Sequence, residues 1–132
     1  MKTKAPEPDL EYYMGKLQPQ YESKGQAEIG RMLDDFHIPF YYKEPLLLWK
    51  DGQRRIGRPD FTLPTYNNAV IEYTPTKELP VEHLKSVYRE NNIAALFVDE
   101  SDLLEPGWQQ RLYDKLEEMY HRPSAYRIDK HA

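Results

Sequence analysis

The sequence predicts an α/β fold, with a mixed central sheet flanked by helices in the order α-β-β-β-α-β-α. In the first half, a stretch with helical spacing of apolar residues is followed by extended apolar segments separated by turn residues. In the second half, a strand that is apolar on both faces lies between two helical stretches, as in a β-α-β unit with parallel strands. The length of 132 residues is typical of a single domain.

The composition excludes several kinds of site. The chain has no cysteine, so disulfides, thiolate nucleophiles and cysteine-ligated metals are ruled out. It lacks both the apolar run of a membrane helix and the basic and apolar start of a signal peptide, so we expect a cytoplasmic protein without membrane contact. The net charge of -4 argues against a generally basic surface, so a nucleic-acid contact would need a local basic cluster.

The first helix is predicted over residues 24–36. Residues 23–26 read SKGQ, which has the Ser-x-x-Gln form of a capping box, and apolar residues follow at helical spacing. Residues 1–20 contain prolines and no sustained apolar period, so we expect an N-terminal arm there. The folded domain is expected over 21–122, with a C-terminal tail over 123–132.

Three strands are predicted next, forming an antiparallel meander. The first covers residues 40–49, which are rich in aromatic and large aliphatic residues. The turn signal Asp51-Gly52 then leads into a second strand over 54–63. A polar break precedes the third strand, over 69–73.

The second half of the chain predicts a crossover. A second helix should begin near Pro80 and end at Asn91-Asn92. Residues 93–98 should form a buried strand parallel to the preceding one. A final amphipathic helix is predicted over 105–121.

Three carboxylates occupy informative places: Glu28 on the first helix, Asp60 in the second strand and Glu72 near the end of the third. Because a short connection joins the two strands, the side chains of Asp60 and Glu72 can meet at one end of the sheet. Oxygen ligands of this kind suit Mg²⁺ or Mn²⁺. Glu28 could instead be a solvated residue paired with Arg31, and Asp60 a strand-end acid. An acid in the apolar run 69–73 is costly if buried unpaired, which favours a polar site at Glu72.

The neighbourhood of these acids resembles a known signature. Residues 58–63 (RPDFTL) and 70–73 (VIEY) look like the two parts of the PD-(D/E)XK signature of restriction-endonuclease-like nucleases. Residues 25–30 (GQAEIG) and 41–46 (YYKEPL) are similar to the helix and strand that precede it in many members. The resemblance covers residues 23–108 and implies a restriction-endonuclease-like core that hydrolyses phosphodiester bonds in DNA, or less often RNA, with a metal ion.

The resemblance also implies roles for individual residues. Asp60 and Glu72 would bind Mg²⁺ or Mn²⁺ directly, the backbone carbonyl of Tyr73 would be a third ligand, and Glu28 an outer or water-mediated one. The signature expects a lysine two residues after the second acid, where this chain has Thr74.

Three lysines are candidates to replace the one missing from the signature. Lys85, on the second helix, is the preferred candidate for the catalytic set. Lys77 is nearer in sequence but belongs to a loop, and Lys43 would act from the first strand.

A basic cluster precedes the second part of the site. Arg54, Arg55 and Arg58, together with Lys77, are candidate contacts for nucleic-acid phosphates. The other interpretation of the arginines is an edge strand protected by charge.

We therefore expect a metal-dependent endonuclease acting on DNA, as a homodimer or within a larger nucleoprotein complex. The alternative is a nuclease-fold module that no longer cleaves and acts in nucleic-acid binding or protein assembly, which Thr74 and the negative net charge favour. A third possibility is a domain whose acids are purely structural. Trp49 and Trp108 are expected to be core or partly buried residues rather than base-stacking platforms.

Overall fold

The computed structural model describes residues 19–76 and 81–122. Most of the expected N-terminal arm, the predicted helix start at Pro80, Lys77 and the tail 123–132 lie outside the described residues. The helices and strands, in chain order, are α1 (Lys24–Asp35), β1 (Tyr41–Tyr42), β2 (Leu46–Lys50), β3 (Gln53–Gly57), β4 (Phe61–Leu63), a 3-10 turn (Pro64–Tyr66), β5 (Ala69–Thr74), α2 (Glu82–Glu90), β6 (Ala95–Asp99), α3 (Glu100–Leu103) and α4 (Trp108–His121).

The fold is mixed α/β, as the sequence predicts. A four-stranded sheet has the order β1-β4-β5-β6, and β2 and β3 form a separate two-stranded hairpin. β4 is antiparallel to both β1 and β5, whereas β5 and β6 are parallel. The parallel pair is connected through α2, which confirms the predicted crossover.

The predicted meander is wrong in one respect, because each of its first two strands is divided. Lys43, between β1 and β2, has a left-handed backbone with φ 57°, which interrupts an extended strand. Pro59, between β3 and β4, cannot donate a ladder hydrogen bond. The segment between them leaves the sheet as the hairpin β2-β3, whose turn residues Asp51 and Gly52 both have positive φ, as the predicted tight turn requires.

The helix ends follow local capping. Ser23 Oγ accepts a hydrogen bond from the backbone N–H of Gln26 at 3.1 Å, so Ser23 caps α1 as predicted. The other half of the predicted capping box differs, because Gln26 Oε1 accepts from the N–H of Glu22 rather than from that of Ser23. The last long helix begins at Trp108 rather than at residue 105. The short helix α3 precedes it and was not predicted; Asp99 and Asp102 form its capping box.

The sheet packs on both faces. α1 and α4 cover one face, where Ile29, Ile71 and Leu116 belong to the larger apolar cluster. Val70, whose side chain points to the opposite face from Ile71, packs with Val87 of α2 and with the hairpin. Among the described residues, no helix is both long and apolar enough to cross a membrane.

Candidate active site

The structure brings Asp60 and Glu72 together. Phe61 of β4 pairs with Ile71 of β5, so Asp60, one residue before Phe61, lies opposite Glu72. Asp60 is 4% exposed and Glu72 is 7% exposed. The backbone N–H of Asp60 donates to Glu72 Oε1 at 3.4 Å, and that of Tyr73 donates to Asp60 Oδ2 at 2.7 Å. Two buried carboxylates are thus linked through the backbones of neighbouring strands.

A lysine neutralises Asp60. Lys43 Nζ lies 2.9 Å from Asp60 Oδ1 and 3.4 Å from Glu22 Oε1. Burial opposes the charge of Lys43, but the hydrogen bond and charge of Asp60, together with Glu22, outweigh it and raise the pKa of Lys43. Lys43 therefore places a positive charge directly on Asp60, the partner of Glu72 in the buried pair.

The backbone of Lys43 is held in place as well. Its N–H donates to the carbonyl oxygen of Asp60 at 3.0 Å, and its own carbonyl accepts from Arg58 Nη1 at 3.2 Å. A left-handed conformation costs a residue other than glycine about 1 kcal/mol or more, so these contacts fix an intrinsically unfavourable geometry. Such strain is common at functional sites.

Glu72 is a carboxyl group that titrates near neutrality. Burial raises its pKa to about 7; the nearby charge of Asp60 adds to this effect, whereas the hydrogen bond from Tyr88 opposes it. The hydroxyl of Tyr88, on α2, donates to Glu72 Oε2, and burial together with the charge of Glu72 raises the pKa of Tyr88. A pKa near the physiological range is characteristic of acid-base and ligand-binding groups.

Glu28 does not join the pair. Glu28 is half-buried on α1, near the side chain of Tyr73. Burial raises the pKa of Tyr73, and the nearby charges of Glu100 and Glu28 raise it further. Because Tyr73 and Glu72 are consecutive in β5, their side chains lie on opposite faces of the strand. Within residues 19–76 and 81–122, no three Asp, Glu or His side chains are grouped closely enough to hold a metal ion.

The candidate lysines differ in position. Lys85 Nζ is 3.7 Å from Glu82 and 5.6 Å from the ring centroid of Phe97. Phe97 of β6 pairs with Glu72 of β5, so the ring next to Lys85 is on the face of the sheet that bears Glu72. The contacts that Lys85 makes among the described residues are nevertheless with Glu82 and Phe97. Among the lysines that the structure describes, Lys43 is the one that forms an ion pair with a member of the carboxylate pair, Asp60.

The arginines of the predicted basic cluster lie in the hairpin or directly after it. Arg54 lies over the ring of Trp49, 5.4 Å from its centroid, and Arg55 donates to Gln53 Oε1 at 2.5 Å. Trp108 is in the core, as predicted, at 9% exposure, whereas Trp49 is 50% exposed. Arg58 is also exposed and holds the loop of Lys43.

The contact of Tyr88 with Glu72 is not among the sequence predictions, which favour Lys85 over Lys43. A general signal for Tyr88 existed, because a buried acid such as Glu72 needs a donor and Tyr88 is on the helix that crosses over its strand. The position of the Lys43 side chain depends on the left-handed backbone conformation of Lys43 itself, which no local sequence pattern predicts.

Comparison of the chain with protein-family models, with curated proteins and with solved structures gave no match.

Proposed function

We propose that this chain is a metal-dependent endonuclease of the PD-(D/E)XK type that hydrolyses phosphodiester bonds in DNA. The observation that supports it most is the buried pair Asp60 and Glu72, joined through neighbouring strands and contacted by Lys43 at 2.9 Å. The order of helices and strands is compatible with a restriction-endonuclease-like core. In the reaction, water adds to phosphorus and one ester P–O bond breaks.

The donor set fits Mg²⁺ or Mn²⁺. Asp60 and Glu72 supply carboxylate oxygens, the backbone carbonyl of Tyr73 is the third proposed ligand, and both ions accept oxygen ligands and retain several waters. Asp60 already attracts a cation, the ammonium group of Lys43. When bound, the metal would supply an activated water and charge neutralisation at the phosphate. Glu28 would contribute at most through water, since it lies with the side chain of Tyr73 on the other face of β5.

Lys43 takes the role that Thr74 cannot perform. Its ammonium group is charged, and its backbone is fixed by Asp60 and Arg58. A preorganised positive charge beside the reacting phosphate stabilises the additional negative charge of the transition state. We therefore assign Lys43 rather than Lys85 to this role.

The second candidate function is an inactive nuclease-fold module that acts in nucleic-acid binding or protein assembly. It is favoured because both carboxylates have partners within the chain: Lys43 and the Tyr73 N–H for Asp60, and Tyr88 for Glu72. In this case the ion pair between Lys43 and Asp60 is a structural replacement for the metal. A homodimer or a larger nucleoprotein complex is compatible with either function.

The test combines cleavage and metal binding. Single-stranded, duplex and branched DNA are incubated with Mg²⁺ or Mn²⁺ and the wild type, Asp60→Asn, Glu72→Gln, Lys43→Ala or Lys85→Ala. We expect metal-dependent cutting that both acid variants abolish, a loss of about a hundred-fold or more with Lys43→Ala, and little change with Lys85→Ala.

Titration calorimetry with Mn²⁺ separates the two candidate functions. Mn²⁺ binding that is lost in Asp60→Asn supports the enzyme. A wild type that neither binds Mn²⁺ nor cuts any substrate rejects the enzyme in favour of the inactive module. Circular dichroism verifies that each variant is folded.

A further inference from the structure

The hairpin β2-β3 has one packed face and one open face. On the packed face Leu48 is 6% exposed, and a Cβ added at Gly57 would lie only 2.7 Å from Leu48 Cδ1. On the open face Leu47 pairs with Ile56 across the strands; they are 53% and 66% exposed. The next cross-strand pair along this face includes Trp49, also half-exposed. A soluble domain rarely groups large apolar side chains in this way unless they bind something.

Trp49 is presented from a fixed backbone. The side chain of Asn91, at the end of α2, accepts from the Trp49 N–H and donates to the Trp49 carbonyl, both at 2.8 Å. The tight turn at Asp51 and Gly52 follows two residues later. The indole of Trp49 is therefore exposed to solvent, while the backbone of Trp49 is hydrogen-bonded to the end of α2. Little backbone entropy should be lost when a ligand covers the indole.

The hairpin is also positively charged. Arg54 pairs with Trp49 and shares the open face, whereas Lys50 and Arg55 alternate to the face of Leu48, where Arg55 is exposed. Residues 46–58 include four basic side chains, Lys50, Arg54, Arg55 and Arg58, and a single acid, Asp51, in a chain whose net charge is -4. The described partners of the two strand arginines are neutral groups of the hairpin itself: the Trp49 ring for Arg54, and Gln53 and a backbone carbonyl for Arg55. Their charge is thus available to an anionic ligand.

We propose that this hairpin binds single-stranded DNA on its open face, with an unpaired base stacked near Trp49, an adjacent phosphate on Arg54, and further phosphates reaching Arg55 and Lys50 around the edge of the two strands. Charge complementarity favours a polyanion over a second copy of this acidic chain. A flat aromatic side chain beside an arginine suits an unpaired base, whereas the base faces of a duplex are already covered by stacking. This inference rests on the proposed function, because it specifies that the DNA presented to the carboxylate pair is single-stranded.

Binding is tested without metal, so its failure is distinguishable from failure of the nuclease. In EDTA, labelled oligothymidine of about twelve nucleotides, within the usual range of single-strand sites, is titrated with the full chain and followed by anisotropy. A matched duplex and an oligouridine are titrated in parallel. Quenching of tryptophan fluorescence by the DNA, lost in Trp49→Phe, reports contact with the indole.

Two matched pairs of variants locate the surface. Trp49→Ala is compared with Tyr120→Ala, an aromatic of similar exposure on α4, and Arg54→Ala with Arg111→Ala, an exposed arginine of the same helix. The helix packs on the opposite face of the sheet from the hairpin. We expect Trp49→Ala to weaken binding about ten-fold and Arg54→Ala to lower the salt dependence by about one phosphate contact, with both controls within about two-fold.

The proposal is overturned by absence of binding, by equal affinity for duplex, by tighter binding of the RNA, or by binding that Trp49→Ala leaves unchanged. Light scattering measures the molar mass in solution and so tests whether a second copy of the chain covers this face instead. Dimers that dissociate in both Trp49→Ala and Ile56→Ala, without oligothymidine binding, would assign the surface to a second copy of the chain instead.

Discussion

At the scale of single residues, Glu72 is an acid whose charge is disfavoured by burial in the folded chain. Its pKa of about 7 lies above its ordinary value of 4.5, so between these values the folded state binds more protons than the unfolded state. Stability contributed by this group is therefore complete below pH 4.5 and is lost as pH rises through 7.

Glu72→Gln should remove this dependence. We expect the variant to gain stability relative to the wild type as pH rises from 4.5 to 7, by up to about 3 kcal/mol, with little further gain above that range. Urea unfolding in EDTA across this range measures the difference. Glu90→Gln, at an exposed position of α2, is the control and should differ from the wild type by a nearly constant amount. A Glu72→Gln difference that is also flat would show that burial does not perturb Glu72.

Lys43 and Asp60 should be energetically coupled, because Asp60 is buried and the ammonium group of Lys43 contacts its carboxylate. Lys43→Ala is expected to reduce stability by about 1–3 kcal/mol, since it leaves a buried carboxylate without its counter-charge. In the Asp60→Asn background the same substitution should cost much less. A double-mutant cycle by urea denaturation at pH 7 measures the coupling, and strictly additive losses would contradict it.

The sequence revealed the acids of the site better than their partners. Glu72 stands out because an acid interrupts an apolar strand, and Asp60 because it follows Pro59 at a strand start. Lys43 and Tyr88 reach them from a loop and a helix remote in sequence. Such contacts depend on how the elements pack, which residue spacing does not encode. Glu28 was misplaced relative to the pair for the same reason.

At the scale of elements, α1 approaches the sheet through a glycine. A Cβ added at Gly25 would overlap the ring of Tyr73 on β5. Alanine usually stabilises a helix relative to glycine by up to about 1 kcal/mol, but here overpacking should prevail.

Gly25→Ala is therefore expected to destabilise the protein by about 1–3 kcal/mol in thermal or urea unfolding. Lys24→Ala, at the exposed neighbouring position, should change stability by less than about 0.5 kcal/mol. Combining Gly25→Ala with Tyr73→Ala should recover most of the loss attributed to the overlap. If Gly25→Ala stabilises the chain, helix propensity outweighs the contact with Tyr73.

Elements with local signals were predicted well. The capping residue Ser23 and the apolar spacing located α1, and the continuous apolar run located the parallel strand β6. Strand ends without such signals were predicted poorly. Residues 40–49 and 54–63 favour an extended conformation throughout, but each segment forms two strands, interrupted at Lys43 in the first and before Asp60 in the second. Their division depends on pairing between β1 and β4, which are distant in sequence.

At the scale of the whole molecule, helices on both faces of one sheet should unfold together. The larger cluster joins residues from α1, β4, β5 and α4, so Leu116, fully buried, contributes to a core shared by most of the chain. Leu116→Ala should cost about 2–5 kcal/mol, whereas Leu104→Ala, at 76% exposure, should cost less than about 0.5 kcal/mol.

The cooperativity of this core can be measured with two probes. In a Trp49→Phe background, fluorescence reports the buried Trp108 and far-ultraviolet circular dichroism reports the helices. If the chain is one domain, both probes give the same urea midpoint, and Leu116→Ala shifts both equally. A fluorescence transition that moves without the dichroism transition would mean that α4 unfolds separately from the sheet. The carboxylate pair, which depends on β4, β5 and α2, would then survive the loss of α4.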